Sequence, residues 1–203
     1  MNTLKAEKRT MDIKAKRLRR EGFVTGNVFG RQIETSIPIK MDKQAVERLL
    51  KTCGKGSRIT LDIEGTPYNV LIKDVEYNPL KGQLEEIDFQ ALVEDEKVHS
   101  VAEIVLLNHE KVTGGVLEQM LEEISFRAYP DALVDKVEID AGKLRVGDTV
   151  HVKDLDIARN PKIEIQTDPE AVIVRVQEVY NPAEDDADGE ETYGQEFSYT
   201  LLK

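Results

Sequence analysis

Apolar and polar residues alternate in short runs through most of this chain, and turn residues separate the runs. Period-two alternation puts one face of a strand inside and the other in water, so the pattern predicts a mainly β fold. In the first half the predicted strands are TLKAEKR (3–9), FVTGNVFG (23–30), QIETSIPIK (32–40), RITLDI (58–63), YNVLIKDV (68–75) and QLEEIDFQALV (83–93). Turns fall at Gly30-Arg31, at EGTP (64–67), and at Asn78-Pro79 with Lys81-Gly82. Only DKQAVERLLKTCG (42–54) carries a clear helical period, with Asp42 as cap, Val46, Leu49 and Leu50 on one face, and Gly54 as stop. AKRLRREGF (15–23) is too polar for a core helix, and Gly22 would end any helical turn there. Short strands with one or two helices predict a small β-barrel or a curled sheet.

Past EDEKVH (94–99) the alternation resumes in SVAEIVLL, EISFRAY, KVEID, TVHV, KIEIQ and AVIVRVQEV. These six runs predict a sandwich-like β domain, while GGVLEQMLEEI (114–124) reads as a short helix. From Pro182 onward six acidic residues fall between Glu184 and Glu191, a composition expected to stay disordered. The chain is therefore read as β-rich α+β in three parts. Residues 1–93 form a barrel, 94–181 a second β domain and 182–203 an acidic tail.

Charge separates the two halves. Residues 1–93 balance at +4, whereas residues 94–203 balance at −15. Eight basic side chains lie in the first twenty residues, against Glu7 and Asp12. Such asymmetry fits one module facing a polyanion; a solvated, mobile basic arm is the alternative. No apolar run approaches the ~18–20 residues of a membrane span, the N-terminus has no apolar signal region, and the single Cys53 cannot form an internal disulfide.

No catalytic constellation stands out. His99, His109 and His151 are isolated, without Cys or carboxylate neighbours at metal-ligand spacing. CGKGS (53–57) lacks the phosphate-loop pattern and leads into a strand. Glu85, Glu86 and Asp88 read either as solvated charge on an edge hairpin or as a carboxylate or hard-metal group. Strict alternation puts Glu86 and Asp88 on one face and Glu85 on the other. The reading is a non-enzyme with no metal and no cofactor.

The order of segments resembles a known family, bacterial large-subunit ribosomal protein twenty-five with its longer Ctc general-stress relatives. The resemblance rests on Arg9, KRLRREG before FVTGNVFG, IPIKM and LIKDVEYNPLKGQLEEIDFQ. It continues through GGVLEQMLEEI, Pro130-Asp131, VEIDAGKLRVGDTVHVKDLD and the acidic tail. It implies an N-terminal barrel that docks on 5S ribosomal RNA of the large subunit, in the cytoplasm on the ribosome, without catalysis. It also implies a C-terminal β domain found only in longer members. At −15 that half is repelled by RNA and is expected to face solvent or protein, including ribosomal-protein neighbours. RNA-contacting residues carried over are Arg9, Lys14, Lys16, Arg17, Arg19, Arg20, Phe29, Gly30 and Asp88.

The family pattern is broken where RNA contacts are expected. Through the hairpin Glu76 stands in the family's Gln position and Glu86 in its His position, while Pro79, Asp88 and Phe89 agree. Upstream, Thr25 replaces a proline, Asn27 an apolar residue and Phe29 a tyrosine. Gln and neutral His donate hydrogen bonds, whereas ionised Glu only accepts and repels phosphate. Two functions stay open: a 5S RNA-binding ribosomal protein, or a diverged stress-associated paralogue with weakened RNA binding that works as a protein-interaction module.

Overall fold

The computed structural model describes residues 2–178, and the acidic segment expected to be disordered lies outside them. Six strands, β1 (Thr3–Lys8), β2 (Phe23–Gly30), β3 (Ile33–Asp42), β4 (Arg58–Ile63), β5 (Thr66–Asn78) and β6 (Gln83–Ala91), close into a barrel in the order β1-β3-β2-β6-β5-β4. Parallel pairing of β1 with β4, from Thr3 opposite Thr60 to Ala6 opposite Ile63, completes the ring. Alternation along each strand turns Val24, Ile39, Leu61, Ile72, Ile87 and Phe89 inward, all fully buried. Helix α2 (Lys43–Leu50) packs Val46 and Leu49 against this core. Asp42 caps it by accepting from the Ala45 N–H at 2.9 Å, which supplies one of the orphan donors of a helix start. Cys53 is buried in the same core.

A second, shorter helix, α1 (Ala15–Arg20), forms where the sequence is mostly basic. Only Leu18 is buried, so it is a surface helix pinned at one point. Gly22, at φ +91°, ends the turn and leads into β2.

Seven strands follow: β7 (Val98–Leu107), β8 (Gly115–Gln119), β9 (Glu123–Ala128), β10 (Lys136–Asp140), β11 (Thr149–His151), β12 (Ile163–Ile165) and β13 (Val172–Glu178). They make a four-stranded sheet, β10-β7-β9-β12, and a three-stranded sheet, β11-β13-β8. The sheets share a core that includes Ala102, Ile124, Phe126, Ile173 and Val174. GGVLEQMLEEI corrects the sequence reading, because it holds a strand and the start of another rather than a helix. Val116 to Gln119 pair with Gln177 to Val174 of β13, and Glu123 and Ile124 pair with Glu103 and Ala102 of β7. Sheet partners distant in sequence override a local helical preference.

Polar contacts tie the barrel to this second set of strands. Ser57 Oγ donates to Asp135 Oδ2 at 3.1 Å, Arg58 Nη1 to the Pro130 carbonyl at 3.3 Å, and Lys73 Nζ to the His99 carbonyl at 2.9 Å. Gly56 sits between them at φ +86°, and a Cβ there would lie 2.0 Å from the Val101 carbonyl oxygen.

One glycine is indispensable to the barrel itself. A Cβ on Gly26 would fall 2.0 Å from the Ile87 carbonyl oxygen, a backbone atom that cannot swing away. Gly26→Ala forces β2 and β6 apart and is expected to lower stability by about 3 kcal/mol or more. Chemical denaturation checks this; an unchanged midpoint would mean that the strands separate freely.

Candidate nucleic-acid interface

Burial of Leu18 decides which way the cations of α1 point. Lys14, Lys16, Arg17 and Arg20 are exposed around the helix, while Arg19 is half-buried. Arg17 Nε pairs with Glu21 Oε1 at 2.9 Å, and Arg19 Nη1 lies 3.7 Å from Glu85 Oε2. Lys14, Lys16 and Arg20 make no ion pair among the described residues. Arg17, Arg19 and Arg20 occupy the last turn, where the helix dipole favours positive charge. Arg9 follows β1 and folds back on the loop, donating from Nη2 to the Ile13 carbonyl at 3.1 Å. Its Nε is buried without a partner among the described residues.

Beside this helix, β2, β6 and β5 form one wall of the barrel. Strand β6 lies between β2 and β5 rather than at an edge, so the hairpin is part of a closed sheet. Glu86 and Asp88 share the outer face, but the face assignment of Glu85 is corrected. Tyr77 opposes Leu84, and Glu76 opposes Glu86, which leaves Glu85 as the extra residue of a bulge. Leu84 and Ile87 are the buried residues on either side, so Glu85 and Glu86 both lie outside the barrel. Arg19 and the Asn78 amide, at 3.0 Å, hold Glu85.

Asn27 organises the rest. Asp88 Oδ1 accepts from the Asn27 backbone N–H at 3.0 Å and from its Nδ2 at 3.3 Å, while Glu86 Oε1 accepts from Nδ2 at 3.2 Å. Asp88 thus fastens β2 to β6 across their parallel pairing. Phe29 and Gly30 lie further along β2. Phe29 is half-buried opposite Gln90, and a Cβ on Gly30 would lie 3.0 Å from Ala91. The structure therefore gathers Arg9, Arg19, Glu76, Glu86 and Asp88 on and beside one wall, with Lys14, Lys16, Arg17 and Arg20 on the flanking helix. Phe29 and Gly30 sit about 13 and 16 Å along the strand from the level of Glu86. Sequence reasoning missed Asn27 as a partner of both carboxylates. The signal for the bulge was present in the spacing of Leu84 and Ile87, which breaks strict alternation.

Electrostatics on the wall are strained in one direction. Burial, then Asp88 and Glu76, raise the Glu86 pKa above the ordinary carboxylate range, against the opposing pull of Arg19 and Arg9. Glu76 and Glu86 are directly opposite cross-strand neighbours, a like-charge pairing that costs stability. A carboxyl with a higher pKa folded than unfolded destabilises the fold when ionised. That cost is absent in acid and present once pH exceeds the folded value. Glu86→Gln keeps the acceptor for Asn27 and removes the charge, so it should raise the unfolding midpoint at neutral pH. The gain should fade below the ordinary glutamate range, as melts across pH would reveal; a gain that persists in acid would place its cause elsewhere.

Among the described residues no group of three or more His, Cys, Asp or Glu side chains is placed to hold a metal. Nor is any of their helices long and apolar enough to cross a membrane. Residues 4–89 match the Ribosomal L25p family, and residues 97–179 match the Ribosomal protein TL5 C-terminal domain. Curated relatives named large ribosomal subunit protein bL25 match along nearly the whole chain. That of Bacillus velezensis is 31% identical over 96% of this chain and 99% of its own length. That of Alteromonas mediterranea is 32% identical over 90% of each, and that of Caldanaerobacter subterraneus is 28% identical over 86% and 88%. Family matches to both halves agree with relatives, matched along nearly their whole length, that are named as large ribosomal subunit proteins: this chain belongs to the ribosomal L25p family.

Proposed function

We propose that this chain is a structural, non-catalytic protein of the large ribosomal subunit that binds 5S ribosomal RNA through residues 1–93. The observation that carries the reading is α1, a surface helix pinned by Leu18 that holds Lys14, Lys16, Arg17 and Arg20 in solvent beside the β2-β6-β5 wall. Cations held on one short helix neutralise successive phosphates and release their counterions. Arg9 and Arg19 lie at the junction of helix and wall, where they serve phosphate and wall contacts together. The outer face of the wall is polar, which suits the shallow minor groove of an RNA helix. Phe29, Gly30 and Asp88 extend or support the same surface. Residues 94–181 form the second domain on this reading, with neighbouring ribosomal proteins as their partners, in a cytoplasmic, ribosome-bound particle.

A second reading has one observation in its favour. The opposed pair Glu76 and Glu86 places two carboxylates on the proposed RNA face, as a diverged, stress-associated paralogue with weakened RNA affinity would. Binding of the full-length chain to 5S ribosomal RNA across a salt series separates the two. The ribosomal reading expects tight binding that weakens steeply with salt. Lys16→Ala and Arg20→Ala should each reduce the log–log slope by about one unit. Weak binding, with slopes unmoved by either substitution, would favour the paralogue.

A further inference from the structure

Strand β10 forms one margin of the four-stranded sheet, since its only strand partner among the described residues is β7. Glu103 N–H donates to the Asp135 carbonyl at 2.9 Å. Peptide groups alternate in direction along a strand. Those of Val137 and Ile139 therefore turn to β7, and those of Lys136 and Glu138 turn to the open side. A strand edge of this kind is a template for another chain.

The open edge borders an apolar trench. Its volume is about 520 Å³, and it is lined by β10, by Val150 of β11 and by residues 154–157. Val137, Ile139 and Val150 are half-buried there, while Leu155 and Ile157 are buried. All five also pack with the domain core, so the lining continues that core outward to the edge. Exposed carboxylates stand at the same trench, Glu138, Asp154 and Asp156 against one lysine, Lys136. Asp154 accepts from the His151 backbone N–H at 2.9 Å, and Asp156 lies 3.9 Å from Arg159. Glu138 makes no ion pair among the described residues.

An unpaired strand edge, an apolar lining and an acidic rim specify one kind of ligand. Only a polypeptide supplies the backbone groups that would continue the ladder past Lys136 and Glu138. In an extended segment laid along β10, every second side chain would enter the trench beside Val137 and Ile139. The intervening side chains would lie on the face of Glu138. Three carboxylates against one lysine favour cations there and oppose a nucleic-acid strand. Resting on the reading that residues 94–181 face protein neighbours, we propose that β10 and its trench dock an extended segment of a partner protein by strand addition. That segment alternates aliphatic residues with lysine or arginine.

The probe is the synthetic peptide Lys-Val-Lys-Ile-Lys-Val-Lys, titrated calorimetrically into the full-length chain beside its counterpart with glutamate for lysine. The lysine peptide should bind at least tenfold more tightly. Glu138→Pro removes the outward N–H and leaves the bonds to β7, as an edge position allows, so it should weaken both peptides about tenfold or more. Glu138→Lys keeps the edge and reverses the charge, so it should narrow or invert the preference between the peptides. This exposed substitution keeps the test readable should proline unfold the domain. Absence of binding, equal binding of both peptides, or affinities unmoved by either substitution would overturn the proposal. So would two other occupants. Dimerisation of the native chain that Glu138→Pro abolishes would assign the edge to a second copy. Tighter binding of a peptide of residues 195–203 would assign it to the chain's own end. Affinity for 5S ribosomal RNA, measured on the same variants, should stay unchanged. Failure of the native chain to bind that RNA would count against the ribosomal reading, and the peptide titration would report on the trench separately.

Discussion

Strands β2 and β6 approach closely enough that the Ile87 carbonyl oxygen occupies the space where a side chain on residue 26 would begin. The rest of the barrel wall depends on that contact. Parallel pairing across it sets Thr25 beside Glu86 and Val28 beside Phe89, residues some sixty positions apart in sequence. Asp88 reinforces the seam by accepting from the Asn27 backbone N–H, which would otherwise lack a sheet partner. With β2 and β6 joined, β1 meets β4 on the far side and the ring closes without an exposed edge.

The same seam divides electrostatic roles between neighbouring surfaces. Helix α1 leans on β2 through Leu18 and carries its cations outward. The wall beside it carries carboxylates, two pairs of them directly opposed across β5 and β6, Glu76 with Glu86 and Asp74 with Asp88. Such a pairing costs stability unless something nearby offsets it. Arg19 holds Glu85, and Arg9 and Arg19 act on Glu86, so the helix supplies part of the compensation for the wall. Cations and carboxylates here belong to one electrostatic unit. Removing the carboxylates would leave Arg19 free of its ion pair as well as changing the wall.

Family membership and local chemistry bear on different questions. Matches to both halves identify the chain's relatives, and the hydrogen bonds of Asn27 describe something particular to this chain. Seen only as a departure from a pattern, Glu86 is a lost donor. In the fold it is one member of a bonded group with Asn27 and Asp88, two residues whose own positions differ in how they fit that pattern. The two departures at Asn27 and Glu86 are physically coupled, since the amide of one is the partner of the carboxylate of the other.

Much was legible without coordinates. Alternation marked the barrel strands because each has one face in the core, and Asp42 with Val46 and Leu49 marked α2 because a helix start needs a cap and a buried stripe. The basic run at Lys14 to Arg20 was equally plain, since charge is a property of composition. Other features depended on partners far away in the chain. The segment at 114–124 became strand because β13 and β7 offered sheet edges that no local signal reveals. The bulge at Glu85 turned two adjacent carboxylates outward because the register of β5 required Leu84 and Ile87 to face inward. Sequence by itself determined which segments had a buried face and where positive charge gathered, because those follow from residue type and spacing. Only the tertiary structure decided that Asn27 would meet Glu86 and Asp88, because that meeting is made by barrel closure and not by any neighbour in the chain.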